Sequence, residues 1–306
     1  MTKVAICTVN WNGKKDTLDL LASLKKLDTS GLLVKIFLVS NQKELFFKKN
    51  SSSKRGVPFE LIYKKQNRGS AGGYNDGARA AIKWGADYIL FLGNDTLIKN
   101  SSLVKDLVAT AKSDPKIGLV SPKMYFAPGF EFYKKRYSKQ DLGNVIWYAG
   151  GTFDWANVMS SHRGIDEIDT GKYEQVEETE LNNTTCIFVS TEVFKKSIFL
   201  DEKLFAYFDD NDWSERVTRA GFKRYYDGRV AIYHKVSRTA GIGSPISDYY
   251  LTRNRLIFGM RYATIRTKIS LFREALRLLF SGRPMQKKGV IDFFLGKRGE
   301  LDNQII

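Results

Sequence analysis

The sequence predicts an α/β protein whose central sheet is mostly parallel and flanked by helices. Apolar runs rich in β-branched residues at Val4–Val9, Leu33–Val39 and Tyr88–Leu92 alternate with segments of helical spacing at Thr17–Leu27 and Tyr74–Trp84. Alternating strands and helices imply right-handed crossovers, which join parallel strands. The run YILFL is apolar throughout, as is typical of a strand covered on both faces.

The later elements follow from the same criteria. Strands are predicted at Phe59–Tyr63, Tyr148–Asp154, Cys186–Ser190 and Ala231–His234, helices at Glu192–Lys196 and Asp212–Ala220, and a solvated acidic loop at Asp166–Glu180. We expect residues 1–125 and 126–248 to be two halves of one domain, and residues 249–306 to be a helical extension.

Composition limits the compartment and the partners. The 306 residues are 43% hydrophobic and can bury a large core, and the formal net charge of +16 favours anionic partners. Cys7 and Cys186 are too few for a disulfide framework, so we expect a reduced cytosolic compartment. No apolar run approaches the roughly 18 residues of a spanning helix, so we expect no integral membrane segment.

The C-terminal extension is basic and amphipathic. Between 251 and 306 there are twelve Lys or Arg and four Asp or Glu, so this segment carries half of the net charge. Apolar residues recur there at helical spacing, with arginines on another face: Ile265, Ile269, Phe272, Leu276 and Leu279 against Arg266, Arg273 and Arg277. Two interpretations are open: docking on an anionic membrane, or packing on the rest of the chain or on a second subunit in a homodimer.

Four polar segments each follow a predicted strand. They are Thr8–Asn12, Ser40–Asn41, Asn67–Gly73 and Asn94–Thr96. Ligands of parallel α/β sheets bind beyond the carboxyl ends of the strands. We therefore expect these segments to line one crevice.

Two of these segments suggest phosphate chemistry. Asp95 stands at the exposed end of a buried strand, where a carboxylate suits a divalent cation that neutralises a diphosphate; capping of the next turn is its alternative role. The glycine-rich segment Asn67–Asn75 leads into a helix, so its amides face an anion or a ribose unless it is only a tight turn. It matches neither the Walker nor the dinucleotide motif.

An acidic cluster and a histidine are the other candidates. Asp209, Asp210 and Asp212 precede an amphipathic helix, and such repelling acids are typical of proton or metal chemistry, although Asp212 also suits a helix N-cap. His234 ends a predicted strand and is either structural or a metal or phosphate ligand. His162 has no identifiable partner in the sequence.

Taken together and in this order, the segments resemble the inverting glycosyltransferases of family 2, which have the Rossmann-like GT-A fold, and especially their rhamnosyltransferase-like branch. The resemblance runs from Val4 to about Asn254. It is carried by Val9-Asn10-Trp11-Asn12-Gly13, Asn67–Asn75, Gly93-Asn94-Asp95, Phe199–Trp213, His234 with Ser237, and Arg253-Asn254.

The resemblance implies a role for each motif. Asp95 and His234 would hold a Mn²⁺ or Mg²⁺ ion at the donor diphosphate, and Asp210 would be the general base. The nucleotide sugar would contact Thr8, Asn10, Asn12, Ser40, Asn67, Gly69, Gly72, Gly73, Asn75 and Asn94. Acceptor-side or supporting positions would be Asp209, Asp212, Trp213, Trp147 and Arg253.

Two positions depart from the family pattern. Ser40 replaces an aspartate that hydrogen-bonds the pyrimidine, so the recognised base is open. Asn94 leaves Asp95 as the single acid of the metal motif, so that either the metal affinity is modest or His234 is more important than usual.

The implied activity is transfer of a sugar from dTDP-rhamnose, a UDP-hexose or UDP-galactofuranose to a hydroxyl of a growing, lipid-linked cell-surface polysaccharide. Residues 1–125 would bind the donor and residues 126–248 the acceptor, in the cytoplasm at the inner face of the cell membrane. The alternative is a non-catalytic nucleotide-sugar-binding or scaffold protein of a polysaccharide assembly complex, which would bind donor without transferring it. We expect no nucleic-acid partner, because the sequence has no recognisable motif for one.

Overall fold

The computed structural model describes residues 1–41, 57–236 and 244–301. Its first part contains β1 (Thr2–Asn10), α1 (Lys14–Leu24), β2 (Leu32–Ser40), β3 (Phe59–Tyr63), α2 (Gly69–Trp84), β4 (Tyr88–Leu92), β5 (Thr96–Ile98), α3 (Leu103–Ser113) and β6 (Ile117–Phe126). The chain continues through β7 (Ile146–Tyr148), β8 (Gly151–Asp154), β9 (Met159–His162), β10 (Val176–Glu178), β11 (Cys186–Ser190), α4 (Thr191–Lys195), α5 (Asp209–Arg219) and β12 (Lys223–His234). It closes with α6 (Pro245–Tyr262), α7 (Ile265–Ser281) and α8 (Pro284–Phe294).

One central sheet joins both halves of the chain. Its strand order is β10-β12-β6-β11-β4-β1-β2-β3, with β5 on β12 and β7 on β6. The strands β4, β1, β2 and β3 are parallel, as are β6 and β12, and β11 lies antiparallel between β4 and β6. Most of the paired length is parallel, which confirms the predicted α/β class with a mostly parallel sheet.

The sheet separates two hydrophobic clusters. Alternate residues of β1 point to opposite faces, so that Val4 and Ile6 pack with α1 and α3, whereas Ala5 and Cys7 pack with α2 and α5. Because helices cover both faces, the carboxyl ends of the parallel strands are the part of the sheet left open to a ligand.

The predicted strands and helices are present, with the predicted ends for β3, β4 and β11 and shifted ends for the others, and three predictions need correction. Asn67–Asn75 is not a loop before a helix, since α2 begins at Gly69. The predicted loop Asp166–Glu180 contains β10, which pairs with β12. The predicted strand Tyr148–Asp154 is divided between β7 and β8.

The predicted segment boundaries do not divide the structure. The boundary at 125 falls inside β6, and the boundary at 248 falls inside α6. Residues 249–301 are fastened to the rest of the chain, for example by the Gly299 amide, which donates to the Lys203 carbonyl at 2.7 Å. Within the three described ranges, no helix is long and apolar enough to cross a membrane.

Candidate functional site

A cavity of about 490 Å³ lies at the carboxyl ends of β1, β2 and β4. Its lining includes three residues predicted to bind the donor, Asn67, Gly69 and Asn94, together with Trp11 and Asn41. Later parts of the chain close it, with Phe205, Ala206, Ile246, Tyr250, Glu300 and Leu301 in its wall. The predicted convergence of the polar segments is therefore observed for these residues.

Polar side chains connect the ends of β1 and β4. The Thr17 hydroxyl donates to Asn10 Oδ1 at 2.9 Å, and Asn94 Nδ2 donates to the Thr17 hydroxyl at 3.1 Å. A Cβ on Gly13 would lie 2.4 Å from Asn94 Nδ2, so a larger residue there would displace the Asn94 amide from Thr17. Asn12, at φ 52°, is exposed in the same connection.

Several buried polar atoms near this edge have no hydrogen-bond partner within the described part of the chain. They are Thr8 Oγ1, Asn10 Nδ2, Ser40 Oγ and Asn41 Oδ1. Buried polar groups are nearly always satisfied, so these atoms indicate a polar ligand or ordered water at the ends of β1 and β2.

The glycines at the start of α2 bring that helix close to the cavity. Gly69 has φ +68°, and a Cβ there would lie 2.4 Å from the Phe205 carbonyl. A Cβ on Gly73 would lie 2.6 Å from Val9 Cγ1, and one on Gly72 would lie 2.5 Å from Arg68 Cβ. Gly72 and Gly73 are buried and serve close packing of α2 rather than an exposed ligand loop.

Asn75 also has a structural role. Its amide exchanges hydrogen bonds with the Leu200 backbone, at 3.0 Å from the Leu200 amide and 2.9 Å to the Leu200 carbonyl, and it donates to Glu202. These contacts hold the segment that leads to the acidic cluster against α2.

The two predicted metal ligands lie together. Asp95 Oδ2 is 3.3 Å from His234 Nε2, because β5 pairs with β12 and sets Thr96 opposite His234. His234 Nδ1 is buried without a partner among the residues the structure describes. Ser237, the other residue of this predicted motif, lies outside the described residues.

A carboxylate and an imidazole facing each other fit a cation that a substrate shares. Within residues 1–41, 57–236 and 244–301, no group of three His, Cys, Asp or Glu side chains has a metal-binding arrangement. Mg²⁺ in such sites is commonly bound by one or two protein ligands, with substrate phosphates and water completing the shell. The pair Asp95 and His234 therefore suits a cation bound with a diphosphate, but not a cation held by protein alone.

Trp147 lies between the two histidines of the chain. Its ring centroid is 4.3 Å from that of His234 and 4.5 Å from that of His162, both edge-on. Trp147 is only 9% exposed. Of the two roles open for Trp147, an acceptor-side or a supporting position, its contacts with two imidazoles favour the supporting one.

His162 has partners that its sequence context does not reveal. Its Nδ1 lies 3.2 Å from the Trp147 carbonyl, and its Nε2 lies 3.3 Å from Asn183 Nδ2. Burial lowers the pKa of His162 to about 4, so the ring is neutral near pH 7. Because a carbonyl only accepts, Nδ1 carries the proton and Nε2 accepts from Asn183.

Asn183 extends this contact to Asp210. Its Nδ2 also donates to Asp210 Oδ2 at 3.4 Å, while its Oδ1 accepts from the Thr185 amide at 2.9 Å and fixes the orientation of the side chain. A continuous path of contacts thus runs from the candidate base, through Asn183, His162 and Trp147, to the candidate metal ligands.

The charged forms of Asp209 and Asp210 are both disfavoured, and the pKa of each carboxyl group is raised. Burial and the neighbouring charge of Asp209 raise the pKa of Asp210 to about 7. Burial also raises the pKa of Asp209, whose Oδ2 accepts from the Ser70 hydroxyl at 3.1 Å. Asp210 is partly exposed and Asp209 is buried, so Asp210 is the acid available to a reacting group.

Tyr74 links the acidic cluster to the metal motif. It lines the cavity, and its pKa is raised well above 10 by burial and by the carboxylates of Asp95 and Asp209. A neutral hydroxyl in this position is available to donate a hydrogen bond at neutral pH.

The segment before the acidic cluster has an unusual backbone. Phe205, Tyr207 and Phe208 have φ of 66°, 60° and 63°, a left-handed conformation that is costly for bulky residues. Asn254 Nδ2 holds this segment, donating to the carbonyls of Leu204 at 2.9 Å, Ala206 at 2.7 Å and Tyr207 at 3.0 Å.

Arg253 acts on the same segment from a fully buried position. It donates to the Leu204 carbonyl at 3.1 Å and to the Gly299 carbonyl at 3.0 Å. The Arg253-Asn254 pair therefore secures the strained turn, which makes Arg253 a supporting residue and not an acceptor contact.

Asp212 and Trp213 are supporting residues as well. The buried Asp212 carboxylate accepts from Arg216 at 2.7 Å and from Arg261 and Tyr262 at 2.8 Å, which ties α5 to α6. Trp213 is buried in the core and donates from Nε1 to the Ile198 carbonyl at 3.0 Å. Neither side chain is accessible to an acceptor.

Comparisons with known proteins agree with this architecture. The family described as Glycosyl transferase family 2 matches residues 4–196. No curated protein sequence matches the chain.

Three solved structures are similar in fold. Residues 1–349 of S. aureus TarS align with TM-score 0.58 at 14% identity, covering 95% of this chain and 79% of TarS 1–349. The mannosyltransferase PcManGT from Pyrobaculum calidifontis, in complex with GDP-Man and Mn²⁺, aligns with TM-score 0.53 at 13% identity. The alignment covers 96% of this chain and 74% of PcManGT. GalNAc-T7 with UDP, GalNAc and Mn²⁺ aligns with TM-score 0.62 at 13% identity. The alignment covers 98% of this chain and 55% of GalNAc-T7.

At these identities the likenesses show a shared fold, which is GT-A-like. The family match covers more than half of the chain and includes the donor-side segments and Asp95. The chain belongs to glycosyl transferase family 2.

Proposed function

We propose that this glycosyltransferase is an inverting, cation-dependent enzyme that transfers a sugar from a nucleoside diphosphate to a hydroxyl of a growing, lipid-linked cell-surface polysaccharide. The observation that carries the proposal is the path of contacts from Asp210, through Asn183, His162 and Trp147, to the pair Asp95 and His234 beside the cavity. It brings a candidate base and a candidate diphosphate site to one place.

Asp210 would accept the proton of the acceptor hydroxyl. A base is most effective when its pKa lies near the working pH, and the pKa of Asp210 is raised to about 7. As the acceptor oxygen forms its bond to the anomeric carbon, the bond to the diphosphate breaks and the nucleoside diphosphate leaves with the electron pair. Attack from the opposite face inverts the anomeric configuration without a covalent enzyme intermediate.

Asp95 and His234 would hold a Mn²⁺ or Mg²⁺ ion, which neutralises charge on the leaving diphosphate when bound. The Mn²⁺ in the PcManGT and GalNAc-T7 structures supports this choice of cation. Asn10, Ser40 and Asn41 present unpartnered buried polar atoms to the same edge and would bind the nucleoside.

The donor is proposed to be dTDP-rhamnose, a UDP-hexose or UDP-galactofuranose, since the order of motifs favours the rhamnosyltransferase-like branch of the family. The acceptor would be presented at the cytoplasmic, inner face of the cell membrane. Cys7 and Cys186 are free and buried, which is compatible with that reducing compartment.

A thermal-unfolding panel of these nucleotide sugars, each with Mn²⁺, with Mg²⁺ or with a chelator, tests the proposal. We expect one donor to raise the unfolding temperature only with the cation, because a ligand at 100 times its Kd stabilises by about 2.7 kcal/mol. In Asp95→Ala, addition of the cation should no longer increase the stabilisation by the donor.

The stereochemistry is read from the product of slow donor hydrolysis by proton NMR. The proposal predicts a first-formed sugar whose anomeric configuration is opposite to that of the donor. Retention of configuration, or no response to any nucleotide sugar, would contradict it.

A further inference from the structure

Helix α7 carries apolar side chains on two faces. Leu271 and Ala275 are buried in a cluster with Val290 of α8 and Leu256 of α6. A second row at helical spacing is exposed and consists of Ile265, Ile269, Phe272, Leu276 and Phe280. Packing of α7 on the protein therefore does not explain the second row.

Helix α8 and its end extend the exposed row. Phe294 and Leu295 are 47% and 66% exposed, and the ring centroids of Phe272 and Phe294 are 5.9 Å apart. We call this surface, formed by the exposed row of α7 with Ile291, Phe294 and Leu295, the α7/α8 face. Contiguous exposed apolar surface of this kind marks an interaction site.

The edge of the α7/α8 face is basic. Arg266, Arg273 and Arg277 are exposed on α7 beside the apolar row. Nine Lys or Arg and three Asp or Glu lie between 264 and 301. Glu274 is already paired with Arg255 at 2.8 Å, and Asp292 is buried against Lys288, so neither neutralises the arginines.

An exposed apolar helical face can bind a second copy of the chain or a lipid surface. The charges at its edge favour the lipid surface. A two-fold dimer with antiparallel α7 helices would bring the arginines of one copy toward those of the other, and like charges repel. An anionic lipid surface attracts the arginines while its acyl region accepts Ile265 and Phe280, which are 71% and 84% exposed.

We propose that the α7/α8 face docks on an anionic lipid bilayer, with α7 lying in the plane of the interface. The docking goes beyond sugar transfer and needs no bound donor, so it can fail or hold independently of the proposed reaction.

A groove of about 390 Å³ lies beside the basic edge of the α7/α8 face, between β9, α6, α7 and α8. It is lined by Arg277 of that edge, by Arg255 and by Phe208, the residue before Asp209.

Vesicle flotation of the full chain without nucleotide tests the docking. The probes are phosphatidylcholine vesicles with or without phosphatidylglycerol. We expect the protein to float with the anionic vesicles only, and the bound fraction to fall as salt is raised.

Two variants separate the apolar and the basic contributions. I265S/F280S and R266Q/R273Q/R277Q should each lower binding to anionic vesicles at least tenfold, while the unfolding temperature stays that of the wild type. The matched controls are L18S/F132S, at apolar positions 47% and 51% exposed on other elements, and K134Q/K135Q/R136Q, at three exposed cations. Both controls should float like the wild type.

Three results would overturn the proposal. One is wild-type protein that does not float with anionic vesicles, and another is full binding by either α7 variant. The third is a dimer in light scattering that I265S/F280S converts to monomer, because the face would then bind a second copy of the chain.

Discussion

The ionisation of Asp210 is set by charged and polar neighbours of opposite effect. Asp209 disfavours the anion, and together with burial it holds the pKa of Asp210 near 7. Hydrogen bonds from the backbone and side-chain amides of Asn211, at 2.8 and 3.0 Å, lower this pKa, and the longer one from Asn183 also favours the anion. The activity of the enzyme should therefore depend on pH in the neutral range. Replacing a neighbour that raises the pKa of Asp210 should shift the pH profile down, and replacing one that lowers it should shift the profile up.

The rate of sugar transfer or donor hydrolysis should rise with pH through about 7, because only ionised Asp210 accepts a proton. Asp209→Asn removes a like charge, lowers the pKa of Asp210 and should move this limb of the kcat/KM profile to lower pH. Asp114→Asn, an acid paired with Lys223 away from the cluster, is the control and should leave the limb in place. If the rise of kcat/KM with pH were unchanged in Asp209→Asn, the group that titrates would not be Asp210.

Asn183→Ala should move the same limb in the other direction. Loss of a donor to the carboxylate raises the pKa of Asp210, and because the contact is long, at 3.4 Å, the shift should be smaller than that of Asp209→Asn. A role confined to stability would lower the unfolding temperature without moving the limb. The sign of the shift is measured on one pH profile for each variant.

The site residues that sequence patterns missed share one property: their partners are distant in the chain. His162 meets Trp147 and Asn183, 15 and 21 residues away, and no local motif marks any of these contacts. Asp95, Asp210 and His234 were identifiable because each stands at a fixed place in a short motif. Asp212, Trp213 and Arg253 were found by the same motifs, but only their burial shows that they support the site.

The strained turn before α5 is held by the side chain of Asn254. Asn254→Ala removes the two N–H groups that the carbonyls of Leu204, Ala206 and Tyr207 share, and the oxygen that accepts from Arg253 Nε at 3.0 Å. We expect the free energy of unfolding to fall by about 2–4 kcal/mol, since each lost bond costs about 1 kcal/mol and leaves a part-buried acceptor.

Chemical denaturation measures this change. Asn144→Ala is the matched control, because Asn144 is exposed and its amide donates only to the Gln140 carbonyl, so its effect should stay within about 0.5 kcal/mol. Equal stability of the two variants would mean that the left-handed turn does not need Asn254.

A strand that reads as an apolar run could be predicted even when it contains one lysine, as in β2, whereas β6, in which Ser121, Pro122 and Lys123 follow one another, could not. The strand β4 is a continuous apolar run, and it appears with the predicted bounds. The strand β6 contains Lys123, which is 1% exposed, and no strand was predicted there. Lys123 is tolerated because Asp169 lies 2.7 Å from its Nζ, a pairing that depends on the tertiary structure.

On the scale of the whole molecule, the C-terminal segment forms part of the wall of the candidate donor cavity. Glu300 and Leu301 line the cavity, and the Leu301 amide donates to the Tyr250 hydroxyl at 2.8 Å. The basic extension expected from composition therefore also forms part of the cavity wall. A deletion would remove this wall together with the α7/α8 face, which is why point variants are used to test the docking of that face.

A chain that ends at residue 263 should lose at least about tenfold in donor affinity, equivalent to 1.4 kcal/mol, because part of the cavity wall is absent. A chain that ends at residue 301 retains that wall and is the control. Calorimetry with the donor selected by thermal unfolding measures both. Equal affinity in the shorter chain would show that the wall formed by Glu300 and Leu301 does not contact the donor.

The most direct test of the central claim compares wild type with Asp210→Asn in single-turnover hydrolysis of the selected donor. We expect the rate of the variant to be lower by about 10² to 10⁴, the usual contribution of a general base, with donor affinity within about twofold of the wild type. A variant that hydrolyses the donor at the wild-type rate would contradict the assignment of Asp210 as the base.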